Sequence, residues 1–157
     1  NKNIQGEFVR AGENMTQDVK LKLGQIVSKG PNGRRYPDLD ETDADVEHFM
    51  EEVKKAALTK DKDWLADRIS YPISTRLNGT ERITIENKEA FKAVFDQVFY
   101  DAFNTQLQEY PVCYLFNNYQ GVMLGRGEIW IRNNPTPIDD RVDGSSFYQI
   151  VAINNRL

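Results

Sequence analysis

Histidine and cysteine are nearly missing from this chain: His48 and Cys113 are the only ones in 157 residues. A lone cysteine excludes an internal disulfide and a multi-cysteine zinc site, and it leaves the redox compartment open. There is no Lys/Arg cluster interleaved with aromatics of the kind that tracks a phosphate backbone. With a net charge of -4 and a pI near 5.1, nucleic acid is not an expected partner. No run approaches the roughly 18 apolar residues that a membrane-spanning helix needs. No cofactor motif is present.

Present instead is a globular profile, with 39% hydrophobic, 11% aromatic and 28% charged residues, which separates the chain from disordered ones. A chain of this length buries about 70% of its unfolded surface in one domain and needs neither metal nor disulfide to fold. The polar start NKNIQGE, without a leading methionine, is what signal-peptide removal leaves. A periplasmic or extracellular location is therefore the expectation, with the cytoplasm as the alternative.

The stretch Gly121–Arg132, GVMLGRGEIWIR, organises the rest. Val122, Met123, Leu124, Ile129, Trp130 and Ile131 are too dense for an edge strand, and Gly125 and Gly127 argue against a helix interior, so a single central antiparallel strand is expected. The most amphipathic segment, Asn87–Phe103, is read as one long helix lying over those glycines. Asn87 caps it, and Phe91, Phe95, Phe99 and Phe103 form its apolar stripe.

Taken in order, residues 1–42 read as an N-terminal extension and linker, and 43–157 as the domain. Val19–Leu23 alternates like a short strand, Ile4–Val9 could start a helix, and 28–37 is turn chemistry. The acidic run DLDETDADVEHF lacks the glycine and the terminal glutamate of a calcium loop, so it reads as a charged helix start capped by Thr42 or Asp43, with no metal site. Val46, Phe49, Met50, Val53 and Ala57 then mark a helix to Thr59, and Asp61 caps a shorter one, Lys62–Ile69.

A strand follows over Tyr71–Leu77, with a turn at Asn78-Gly79 and a brief strand at Ile83–Ile85. After the long helix come strands at Val112–Phe116, at the organising stretch and at Ser146–Ile153. The loop 133–145, with two prolines, is long enough to act as a lid.

This order of elements, together with the runs WLADRISYPI, NKEAFKAVFDQVF, GVMLGRGEIWI and YQIVAIN, resembles the nuclear transport factor two-like (cystatin-like) superfamily, and within it small, uncharacterised, exported bacterial members. The resemblance implies an α+β fold in which a curved antiparallel sheet wraps a long helix into a cone. That superfamily hosts isomerases, dehydratases, hydrolases and non-catalytic binding modules, so the resemblance implies fold more than activity. In its enzymes an Asp or His base works in the cone with Tyr or Asp donors, and no complete set matches here.

Candidate site residues are therefore weighed singly. His48 is a general base or a partly exposed helix histidine, and the second is the plainer reading because no positioning partner is evident. Asp101, beside Tyr100 where a cone opens, is a proton carrier or a solvated polar residue. Tyr71 and Tyr100 are possible donors. Cys113, between Val112 and Tyr114, reads as an inert buried thiol.

Strand parity divides the organising stretch. With Met123, Gly125, Gly127, Ile129 and Ile131 toward the helix, Arg126, Glu128 and Trp130 form an outer surface near Tyr148, either a partner site or an ion pair under a tryptophan. With the parity reversed, Arg126 and Glu128 line the cone. The leading expectation is a non-catalytic domain that binds a small apolar ligand or a protein, with a homodimer through the sheet face as one form of the latter. A lyase or isomerase using the cone pocket and an immunity or inhibitor protein against a secreted toxin or hydrolase are the alternatives.

Overall fold

Thr42 opens the first helix. Its hydroxyl accepts the amide of Asp45 at 3.2 Å, and the Asp45 carboxylate accepts the amide of Thr42 at 3.1 Å. This reciprocal box satisfies two amides of the first turn, and such a cap contributes about 1 kcal/mol. The computed structural model describes residues 33–37, 39, 42–133 and 148–156. The strand expected at Val19–Leu23, the helix start at Ile4–Val9 and nearly all of the loop 133–145 lie outside the described residues.

The order is α1 (Asp43–Thr59), α2 (Lys62–Ala66), β1 (Ile73–Leu77), β2 (Glu81–Ile85), α3 (Lys88–Val98), α4 (Asp101–Glu109), β3 (Phe116–Asn118), β4 (Gly121–Leu124), β5 (Ile129–Asn133) and β6 (Tyr148–Ile153). The fold is α+β, with antiparallel sheets that do not close. β1 and β2 form a hairpin of their own, and β3-β4-β5-β6 form a four-stranded meander. Asn78 and Gly79, at φ 48° and 75°, make the β1–β2 turn, as an Asn-Gly pair does when both central residues must be left-handed.

The helix expected over Asn87–Phe103 is broken in two. Asn87 does cap it, accepting the Ala90 amide at 2.9 Å, but α3 ends at Val98 and α4 begins at Asp101. Carbonyls that a continuous helix would use internally are taken from outside its ladder: Gln97 O by the Asn78 amide at 2.7 Å, Val98 O by Asn155 Nδ2 at 2.8 Å and Phe99 O by Asn104 Nδ2 at 2.8 Å. The phenylalanine stripe survives the break. Phe95 and Phe99 rings lie 5.1 Å apart and Phe99 and Phe103 rings 5.8 Å apart, and all three are buried.

The organising stretch is likewise not one strand but a hairpin, β4 and β5 joined by a turn at 125–128. Gly125 and Gly127 sit at φ 67° and 111°, where L side chains are strained, and the amides of Gly127 and Glu128 both donate to Leu124 O. The chain reverses here because glycine alone takes these angles cheaply. The strand expected from Val112 begins only at Phe116; the last strand is described over Tyr148–Ile153, and the start expected for it at Ser146 lies outside the described residues.

β6 is bordered on both sides. β5 pairs along one edge, with a register shift between Trp130 and Ile131. On the other edge Ser70 N donates to Ile150 O at 2.9 Å and Ile150 N to Arg68 O at 2.7 Å. The core joins α1, α3 and α4 to the inner sides of the sheets, with Phe49 of α1 5.3 Å from the Tyr148 ring. It also takes in Tyr36 and Leu39, within and just beyond the turn segment. The Tyr36 hydroxyl donates to Glu47 at 2.9 Å and accepts the Leu115 amide at 2.9 Å, which fastens that segment to α1 and to the approach to β3.

Candidate functional site

The residues singled out in the sequence do not assemble into one site. His48 and Asp101 are exposed, on α1 and at the start of α4. The Tyr71 hydroxyl donates to Ala66 O at 3.0 Å, and the Tyr100 hydroxyl to Asn155 O at 2.9 Å. Burial raises the pKa of both phenols above the usual tyrosine range, with Asp67 and then Glu89 adding to the shift at Tyr71. Both tyrosines act as structural donors. Cys113 is exposed rather than buried, because the chain at 112–115 is not in a strand. Among the described residues no group of three His, Cys, Asp or Glu side chains could hold a metal, and no helix is long and apolar enough to cross a membrane.

Neither parity expected for Arg126, Glu128 and Trp130 holds, because the turn separates them. Arg126 is exposed in the turn. Glu128 is buried and accepts from Gln106 Nε2 at 2.9 Å, from the Tyr110 hydroxyl at 2.9 Å and from the Arg126 amide. Its carboxylate thus pins the turn to α4 through neutral donors. Gly125 is required beside it, since a Cβ there would run into the Glu128 carboxylate and the Tyr110 ring. Tyr148 is buried in the core beside Phe49, so it is not part of an outer surface.

Trp130 does lie on the face of the meander away from the core, half-buried and in unexpected company. The register aligns Phe116 with Met123, Met123 with Trp130 and Trp130 with Ala152. Directly opposed residues share a face, so these four form one apolar row across all four strands. Val122, Leu124, Ile129 and Ile131 are buried on the other face. Phe116 is 53% exposed and Tyr119, in the β3–β4 turn, 86%. Met123 was expected on the helix-facing side; the reversal at 125–128 puts it with Trp130.

A second feature escaped the sequence reading. A half-open cleft of about 270 Å³ is lined by Ser74, Arg76, Arg82, Ile153, Asn154 and Arg156, floored by Thr75 and Asn155. Asn155, fully buried, uses its whole amide. Its Oδ1 accepts from Thr75 Oγ1 and from the Arg76 amide, both at 3.0 Å. Its Nδ2 donates to Arg76 O at 2.7 Å and Val98 O at 2.8 Å. Arg76 and Arg82 face each other across β1–β2. The sequence signal was the alternation Ser74, Arg76 and Arg82, Thr84 on one hairpin face; that Arg156 joins them could not be read from it. Comparison of the chain with protein families, with curated proteins and with solved structures finds no match to any of them.

Proposed function

We propose that this chain is a non-catalytic binding domain that engages a protein, in the first instance a second copy of itself, through the face of the four-stranded meander that carries Trp130. The observation that carries the reading is the row Phe116, Met123, Trp130 and Ala152, which crosses every strand and ends on an aromatic ring 53% exposed. An exposed Phe116 and a half-buried Trp130 in one apolar row, with Arg126 and Arg132 exposed nearby in the chain, have the composition of interface hot spots.

The fold is proposed as a variant of the nuclear transport factor two-like cone, supported by the order of two helices, a hairpin, a helical segment and a meander. Its departure is the break at Phe99-Tyr100. Export to the periplasm or beyond accompanies this reading, supported by the resemblance to exported members of that superfamily. The lyase or isomerase alternative requires a proton carrier at a cavity; His48 and Asp101 are absent from the cleft lining, so no observation favours it. The charged cleft lining likewise does not favour a small apolar ligand.

Size-exclusion chromatography with light scattering tests the interface over a range of concentrations. The expected result is twice the protomer mass for the unaltered chain and a shift toward the protomer in Phe116→Glu and Trp130→Ala. A concentration-independent protomer mass in the unaltered chain overturns self-association. Unchanged dimers in both variants remove this face as its site.

A further inference from the structure

We propose that the cleft between the β1–β2 hairpin and the segment after β6 is a binding site for a dianionic oxyanion, the phosphate group of a phosphomonoester or the free ion. The proposal is independent of the sheet-face reading.

Arg76, Arg82 and Arg156 all line this cleft, and among the described residues none of them makes an ion pair. Carboxylates are not scarce, since the chain carries 24 Asp and Glu against 20 Lys and Arg. Elsewhere they are placed against cations, as in Lys88–Asp67 at 2.7 Å, Lys62–Asp96 at 2.8 Å and Lys92–Asp63 at 2.9 Å. The cleft lining has none.

Arg76 and Arg82 are moreover a directly opposed cross-strand pair. Like charges at that position repel, a cost that an anion between them removes. Beside them on the same face Ser74 and Thr84 are also opposed, with hydroxyl oxygens 3.3 Å apart, and Ser74 lines the cleft. Guanidinium forks and hydroxyls are the donor set that recognises phosphate oxygens.

The site is held in place before any ligand arrives. Asn155 clamps both the amide and the carbonyl of Arg76, and Arg156 is the next residue in the chain. Among the described residues the Arg76 side chain bonds Thr80 O alone, which leaves most of its N–H donors for a ligand. Three cations and a few neutral donors suit a doubly charged group better than a single carboxylate, and with no carboxylate or imidazole in the lining the site holds its ligand without moving protons.

The test is a titration of isotopically labelled protein with inorganic phosphate and, separately, with glycerol phosphate at low ionic strength, followed by amide chemical shifts. Sodium chloride at matched ionic strength is the control. The expected result is saturable shifts centred on 74–76, 82 and 153–156, weakened roughly tenfold or more in Arg82→Gln/Arg156→Gln. Both positions are exposed, so the double variant keeps its fold, which circular dichroism verifies. Tighter binding of glycerol phosphate identifies an organic phosphate as the ligand, and equal binding identifies the ion itself. No saturable shift, shifts reproduced by chloride, or undiminished affinity in the double variant overturns the proposal.

Discussion

Asn155 and Arg76 are joined as if they were neighbours in a sheet. The Asn155 side-chain oxygen accepts the Arg76 amide at 3.0 Å, and its nitrogen donates to the Arg76 carbonyl at 2.7 Å, so a side-chain amide supplies both halves of a ladder rung. The same nitrogen reaches Val98 O at the end of α3, and the Asn155 carbonyl accepts from Tyr100. One buried residue thereby fastens the hairpin, the helix break and the end of β6.

Replacement of Asn155 is accordingly expected to be costly. Asn155→Ala leaves buried donors and acceptors unpaired and should lose on the order of 3 kcal/mol in urea unfolding. Asn155→Asp turns an acceptor toward two carbonyls, which raises the carboxyl pKa in the folded state. The folded variant then binds more protons than the unfolded one above the ordinary carboxylate range, so its deficit shrinks as pH falls toward about 4.

The β4–β5 turn depends on Glu128 and Gly125 together. Glu128→Ala removes the acceptor of Gln106, Tyr110 and the Arg126 amide and should cost roughly 1–3 kcal/mol. Gly125→Ala adds a clash with the same carboxylate to a strained φ of 67°. The double variant should therefore be more stable than the sum of the singles predicts, because part of the clash disappears with Glu128; a double-mutant cycle measures that coupling.

Alkaline pH should unfold the chain through its tyrosines. Burial and the Glu47 carboxylate raise the Tyr36 hydroxyl above its ordinary value, and burial raises Tyr71, Tyr100 and Tyr110. Where folding holds phenols protonated, stability is complete below the unfolded pKa of about 10 and falls as pH rises above it. Urea midpoints measured upward from pH 9 should decline in the unaltered chain, and decline less steeply in Tyr71→Phe, which keeps the ring and removes the proton.

Phe99 sits where the helix breaks, with its ring between those of Phe95 and Phe103. Phe99→Ala should cost roughly 3–5 kcal/mol by calorimetry or denaturant unfolding. Filling the cavity with Leu should recover a large part of that. If the break were held only by the phenylalanine stripe, Asn104→Ala, which frees Phe99 O, would be silent; a loss of about 1 kcal/mol is expected instead.

Elements whose cause is local were legible in the residues themselves. Thr42 and Asn87 stop the chain from extending and start α1 and α3, Asn78-Gly79 turns the hairpin, and the spacing of Val46, Phe49, Met50 and Val53 buries one face of α1. Even the second hairpin left a trace. Val122 and Leu124 are buried at even positions, Ile129 and Ile131 at odd ones, and a strand cannot change parity without a turn. The dense apolar run hides that switch, and read as one strand it puts Arg126, Glu128 and Trp130 on a common face.

What the sequence determined by itself is therefore a single α+β core, the caps and turns that punctuate it, and that no disulfide joins two of these residues. Tertiary contacts alone decided where the aromatic helix breaks, which residues share a sheet face with Trp130, and that Arg76, Arg82 and Arg156 line one cleft. Propensity acts over a few residues and is written in them. The carbonyls of Gln97 and Val98 are claimed by Asn78 and Asn155, 19 and 57 positions away, and no local pattern encodes a hydrogen bond whose donor arrives only once the chain has folded.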